Sequence, residues 1–150
     1  MTLTKYKQKR DFSKTSEPPN KLINKRGDAK IFVIHEHHAT NLHYDLRLEM
    51  SGVLKSWAVP KSPPTTKGTK RLAIQVEDHP LSYKDFEGII PEGNYGAGKV
   101  KIWDKGTYEL VDKDSKKIEI NIKGKKLKGK YVLVNAKLGK DKKNWLFFKL

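Results

Sequence analysis

The 150-residue chain contains no cysteine, which excludes a disulfide framework, a thiolate zinc site and a cysteine nucleophile. Long apolar runs are missing too. The longest, Ile31–Ile34 and Tyr131–Val134, fall far short of the ~20 residues that span a bilayer. No charged-then-apolar signal segment opens the chain, so the expectation is a soluble, intracellular, cytoplasmic protein with no membrane partner. Apolar residues are scarce overall: with Gly counted and Tyr left out they make up about 39%, below the roughly 45–50% usual in globular chains. A lean core suits a small β-rich body better than a thick α/β sandwich. The length suits one domain, residues 1–150, able to bury about 68–70% of its unfolded surface. Such a chain needs no metal staple to fold, and a metal bound to it would serve chemistry.

Acidic residues are few: 17 Asp and Glu stand against 32 Lys and Arg, a formal net charge of +15. A balance this basic points to a polyanionic partner. The excess is uneven, since residues 111–150 carry 13 Lys against Asp112, Asp114, Glu119 and Asp141. A solvated lysine-rich face, as in proteins from hot or salty habitats, is one reading. Binding a nucleic-acid backbone is the reading favoured here, because closely spaced ammonium groups displace counterions without sequence contacts. Arginine is scarcer still, limited to Arg10, Arg26, Arg47 and Arg71. A chain that writes its charge as lysine reserves arginine for places where a planar fork matters, such as a bidentate grip on phosphate or a structural salt bridge.

Residues 1–30 are polar and breaker-rich, and are expected to form an N-terminal arm with a short helical turn near Lys5–Phe12, packed on the body. From Lys30 onward the pattern predicts short strands at 30–36, 42–49, 53–59, 71–77, 99–103, 107–111, 117–122, 130–135 and 144–149. Their regular spacing with turn residues between them predicts a mainly β fold, a small antiparallel barrel or sandwich. The glycine-rich stretch 91–98 lacks the strand–turn–helix context of a phosphate loop and reads as an irregular connection needing positive φ.

Four of the five histidines, His35, His37, His38 and His43, fall within nine residues. They lead into Leu42-His-Tyr-Asp-Leu-Arg-Leu-Glu49. In a strand, His43, Asp45, Arg47 and Glu49 share one face, while Leu42, Tyr44, Leu46 and Leu48 share the other and enter the core. Imidazole, carboxylate and guanidinium then stand in a row about 6–7 Å apart. Imidazole and carboxylate together bind a divalent transition metal, and a neighbouring arginine holds an anion that the metal also touches. A third ligand is available from His35, His37 or His38; two histidines and a carboxylate leave the open positions that catalysis requires. With such ligands Mn²⁺, Zn²⁺ and Fe²⁺ are all admissible. The fifth histidine, His79, follows a strand whose buried face is expected to be Leu72, Ile74 and Val76. Arg71, Gln75, Glu77 and, if the chain stays extended, His79 would share the polar face. There His79 suits a donor to phosphate or a proton-transfer group.

These residues resemble the 3′-phosphoesterase module of bacterial DNA ligase D, which also occurs as stand-alone proteins. The resemblance rests on Arg10-Asp-Phe12 with Glu17-Pro18, on His37-His-Ala-Thr-Asn-Leu-His-Tyr-Asp-Leu-Arg-Leu-Glu49, and on Gly52 to Lys61. It continues through Lys70-Arg-Leu-Ala73, Val76-Glu-Asp-His-Pro-Leu81 and Phe86-Glu-Gly88 to Ile102-Trp-Asp104, and more loosely to Leu127–Val134 and Trp145–Lys149. The Lys-x-Asp-Gly lysine of a nucleotidyl-transferring ligase is absent. The resemblance implies a small β-barrel and a Mn²⁺ site, with Zn²⁺ or Co²⁺ as other divalent occupants. It implies the ligand set His37, His43 and Asp45. It places Arg10, Asp11, Arg47, Lys61, Arg71, His79 and Tyr83 where the phosphate is held or processed, with Glu17 and Glu77 as supporting carboxylates. The implied substrate is a primer-template or duplex 3′ end carrying a ribonucleotide or a 3′-phosphate, in DNA repair by end joining, alongside separate ligase or polymerase proteins. His35 departs from the pattern, standing where many relatives are expected to have Gln. Two rival readings remain: a non-catalytic basic nucleic-acid-binding module, and a metal-dependent hydrolase of a small phosphorylated metabolite.

Overall fold

The computed structural model describes residues 30–94, 97–136 and 142–150. The expected arm, apart from Lys30 itself, lies outside these residues, as do Arg10, Asp11 and Glu17.

Among the described residues, alternation of apolar and polar residues produces nine strands: β1 (Lys30–His38), β2 (Leu42–Met50), β3 (Val53–Val59), β4 (Lys70–Pro80), β5 (Gly88–Ile90), β6 (Gly98–Lys113), β7 (Lys117–Lys123), β8 (Lys128–Asn135) and β9 (Asn144–Lys149). They run in the order β1-β2-β3-β4-β9-β8-β7-β6-β5, and β1 also pairs with β6. That last pairing closes eight strands into an antiparallel barrel, with β5 appended to the free length of β6. Ser51 and Gly52 join β2 to β3 with positive φ of 54° and 81°, the combination that matches the twist of a two-residue hairpin. The only helical segment among the described residues is a 3₁₀ turn, Leu81–Asp85; no helix among them is long and apolar enough to cross a membrane.

The barrel interior holds Phe32 and Ile34 of β1, Leu46 and Leu48 of β2, Trp57 and Val59 of β3, Tyr108 of β6, Ile120 of β7, Tyr131 of β8 and Phe147 of β9, among others. One apolar face per strand is enough to fill it, which is how so lean a composition still makes a core. The buried phenols are satisfied: Tyr108 donates to the Glu49 carbonyl at 2.6 Å and Tyr131 to the Pro64 carbonyl at 2.8 Å.

Several expectations are corrected. The segments 99–103 and 107–111 form one strand, β6, because Gly106 continues the ladder instead of breaking it. A Cβ there would run into the Lys123 carbonyl oxygen. The three-residue β5 and the 3₁₀ turn are too short to show a period. On β4 the inward residue is Ala73, fully buried, whereas Leu72 is 36% exposed. Ala73 sits opposite Trp145, whose indole packs edge-on against Trp57 at 5.9 Å; two indoles across the barrel leave room for a methyl and no more. Leu42 is exposed at the end of β2 and Tyr44 only half-buried, against Trp103.

Candidate metal centre

Because Ile34, Leu46 and Leu48 point inward, period two sends His35, His37, His43, Asp45 and Arg47 to the outer side of the wall. Pairing then aligns them, His37 opposite His43, His35 opposite Asp45, Arg47 opposite Ser56. This outer face is covered. Leu81, Tyr83, Phe86 and Ile90 fold back over it and pack with Leu54 and Val100 into a second apolar cluster. Asp45, Arg47, His35, His37 and His79 are all buried in consequence. A cleft of about 310 Å³ opens between wall and cover, lined by His37, His43, Asp45 and Arg47 on one side and by Glu77, His79 and Tyr83 on the other.

His37, His43 and Asp45 each offer a ligand atom within 4.8 Å of the others. The closest approaches are 3.3 Å from His43 Nε2 to Asp45 Oδ1 and 3.5 Å from His37 Nδ1 to Asp45 Oδ2. These are long for hydrogen bonds, but ligands held about 2.1 Å from one tetrahedral cation stand about 3.4 Å apart. His43 Nδ1 donates to the Asn41 carbonyl at 3.1 Å, which leaves the lone pair on Nε2, toward Asp45; orienting a ligating imidazole through its other nitrogen is what metal sites do. The donor set therefore fits a divalent transition metal. His38 is not part of it: its ring faces Glu36 at 2.6 Å on the other side of the strand.

Electrostatics agree. Burial alone would raise the Asp45 carboxyl, but the Arg47 guanidinium first, and then the close His37 and His43 rings, hold it well below the ordinary value. Burial lowers His43, but the close contact with Asp45, the charge of that carboxylate and the Asn41 carbonyl together outweigh this, for a net rise. His35 is pushed down to about 3 by burial and by the charge of Arg47.

Arg47 is gripped on three sides. Nε donates to His35 Nδ1 at 3.1 Å, one terminal nitrogen donates to Ser56 Oγ at 2.8 Å, and the other pairs with Asp45 at 3.4 Å. Its Cζ lies 4.9 Å from the centre of the Tyr83 ring, which His79 meets edge-on at 4.7 Å. His79 Nδ1 donates to the Glu77 carbonyl at 3.1 Å, so Nε2 carries the lone pair of the neutral ring.

The cleft thus brings together His37, His43, Asp45, Arg47, Glu77, His79 and Tyr83. It does not include Lys61 and Arg71, which line a separate depression of about 210 Å³ with Pro60, Lys70 and Leu72; Arg71 Nε donates there to the Ser62 carbonyl at 2.8 Å. Ser56, the His35–Arg47 bond and the Phe86 carbonyl were not foreseen. Ser56 had a signal: it is as far after the Ser51-Gly52 turn as Arg47 is before it.

The model of the DNA ligase D 3′-phosphoesterase domain matches residues 35–135. The chain is 49% identical over 138 residues to the multifunctional non-homologous end joining DNA repair protein LigD of Mycobacterium tuberculosis, covering 89% of this chain and 18% of that protein. It is 48% identical over 155 residues to the Mycolicibacterium smegmatis protein LigD, covering 96% of this chain and 20% of the relative. With Pseudomonas aeruginosa LigD the identity is 43% over 153 residues, covering 98% and 18%. The chain thus spans about a fifth of the length of the curated relatives it matches. On the barrel, the cleft and these matches together, the chain belongs to the DNA ligase D 3′-phosphoesterase domain family.

Proposed function

We propose that this chain, folding as a single domain, is a metal-dependent phosphoesterase that heals DNA 3′ ends in end-joining repair. It removes a 3′-terminal ribonucleoside and then the remaining 3′-phosphate, leaving a 3′-OH. The observation that supports this best is the cleft itself, which sets three metal-ligating side chains beside a buried arginine, a histidine and a tyrosine. His37, His43 and Asp45 would hold the metal, with Mn²⁺ as the favoured ion; bound there, it would supply Lewis acidity to a phosphate oxygen.

The remaining work falls to this chain's own groups. Arg47, fixed in orientation, donates to phosphate oxygens as negative charge builds on them, the main task in phosphoryl transfer. His79, once protonated at Nε2, hydrogen-bonds the same phosphate or hands that proton to the leaving oxygen, with Tyr83 holding its ring in place and Glu77 beside it. In the first step a water oxygen bonds to phosphorus, and the P–O bond to the ribonucleoside 5′ oxygen breaks with that oxygen taking a proton. In the second, water again bonds to phosphorus and the P–O3′ bond breaks, releasing inorganic phosphate. Arg10, Asp11 and Glu17 join this machinery in our reading, while Lys61 and Arg71 contact substrate phosphates beyond the cleft. Exposed lysines such as Lys99, Lys101, Lys125, Lys128 and Lys130 hold the duplex by its backbone, with affinity falling steeply as salt rises. The healed end would pass to separate ligase or polymerase proteins.

A labelled primer-template ending in 3′-phosphate or 3′-ribonucleotide, assayed with Mn²⁺ or EDTA across a salt series, tests the proposal. Conversion to 3′-OH that needs metal and weakens with salt is the expected result. Metal-indifferent binding without turnover would replace it with a passive nucleic-acid-binding module, and salt-insensitive cleavage of small phosphate esters with a metabolite hydrolase.

A further inference from the structure

We propose that His35 is the positioning residue of Arg47 and not a metal ligand: its ring ties the guanidinium to the backbone of the Leu81–Ile90 cover. The partners settle the ring's hydrogens. A guanidinium nitrogen can only donate and a carbonyl can only accept, so Nδ1 accepts from Arg47 Nε at 3.1 Å and Nε2–H donates to the Phe86 carbonyl at 3.0 Å. Both ring nitrogens are then used, and neither lone pair is left for a cation, although His35 lies opposite the ligand Asp45 and two residues from the ligand His37. The ring is completely buried and meets Tyr83 edge-on at 5.4 Å; Tyr83 in turn faces the guanidinium at 4.9 Å. His35 therefore links the wall carrying Arg47 to the cover carrying Tyr83. With Ser56 it fixes two edges of the guanidinium plane, so that the arginine meets a phosphate already oriented. Misplacing such a group by about 1 Å can cost on the order of 100-fold in rate. The catalytic part of this inference rests on the proposed phosphoesterase reading; the structural part does not.

Two substitutions separate the roles. His35→Gln keeps an acceptor and a donor, while His35→Leu keeps neither. On a 3′-phosphate primer-template, the Leu variant is expected to lose about 30–100-fold in kcat with KM within about 3-fold. The Gln variant should recover to within about 5-fold of wild type. Mn²⁺ affinity by calorimetry should stay within about 3-fold in both; a fall beyond about 10-fold in both would make His35 a ligand and overturn the proposal. In the ¹⁵N-labelled metal-free protein, a scalar coupling across the hydrogen bond between Arg47 Nε and His35 Nδ1 is expected, and its absence overturns the proposal whatever the activity. If the Leu variant fails to fold, the coupling and the Gln variant's metal affinity still decide. Should the wild type show no phosphoesterase activity while the coupling is present, the functional reading fails and the positioning geometry stands.

Discussion

Asp45→Asn tests the centre most directly, because one buried carboxylate holds two imidazoles and a guanidinium within 3.5 Å. The amide is isosteric and keeps hydrogen-bonding capacity but leaves Arg47 buried without its counter-charge. Breaking a buried pair by removing one partner costs about 3–5 kcal/mol. Because Asn still accepts, the low end applies, about 3 kcal/mol, or roughly 6–12 °C in Tm for a chain this long. Its pH dependence has a definite sign. The Asp45 carboxyl is held below its ordinary value in the fold, so its stabilisation is complete above the unfolded value, about 3.9, and is lost as pH falls through the lower folded value. Thermal melts in EDTA should therefore show a gap between wild type and variant that never shrinks from pH 8 to 5, widening where His43, raised by Asp45, takes up its proton, and narrowing only below about pH 4. Saturating Mn²⁺ should raise wild-type stability by about 2.7 kcal/mol at 100-fold over its Kd, an increment the variant largely loses. Equal Tm values at pH 7, or a gap that closes between pH 7 and 5, would refute the reasoning.

Arg47→Lys keeps the charge but can satisfy only part of what the fork holds, so kcat on a 3′-phosphate end should fall about 10²–10³-fold with KM little changed; steady-state kinetics at saturating Mn²⁺ check this. Asp104 accepts the amides of Lys105, Lys125, Lys126 and Leu127 at 2.9–3.1 Å, stapling the β7–β8 turn, and does not line the cleft. Asp104→Ala should cost about 2–3 kcal/mol in urea unfolding without lowering kcat below the melting transition.

Most of the barrel was legible because each half-buried strand carries its own period: Phe32 and Ile34, Leu46 and Leu48, Ile118, Ile120 and Ile122 announce an inner face without reference to any other strand. Where the inner face is set by a neighbour, reading one strand alone misleads. Nothing near Ala73 in the chain says that Trp57 and Trp145 will crowd it, so Leu72 and Ile74 look like the core residues. The site divides in the same way. His43, Asp45 and Arg47 are adjacent on one strand and alternation places them together. The choice among His35, His37 and His38 was open to spacing and came from the family resemblance; what the sequence could not show is that the other two rings have partners of their own. His38 turns to Glu36, and His35 is claimed by Arg47 and by Phe86, a carbonyl 51 residues away.

His79 shows how far a single residue of register can reach. On β4, Gln75 lies opposite the inward-facing Trp57 and Val76 opposite the outward-facing Ser56, so unbroken alternation would turn His79 inward with Gln75, whereas the sequence reading expects both on the polar face, away from the core. The ladder shifts between Leu54 and Ser56: Glu77 and Asp78 together face Lys55, to which Asp78 is bridged at 3.5 Å. This bulge brings His79, and not Asp78, opposite Leu54 on the outer face, where Tyr83 packs on its ring and the cleft begins. A second shift, in the β1–β6 ladder between Ile34 and His35, adjoins the Arg47 side of the same cleft. Bulges re-aim side chains at a cost in ladder hydrogen bonds, and here both flank the one patch of wall that carries charge under an apolar cover. The regular ladder builds the barrel; of its three irregularities among the described residues, the one between β6 and β7, at Leu110 to Asp112, does not involve a residue lining the cleft, and the other two flank the site.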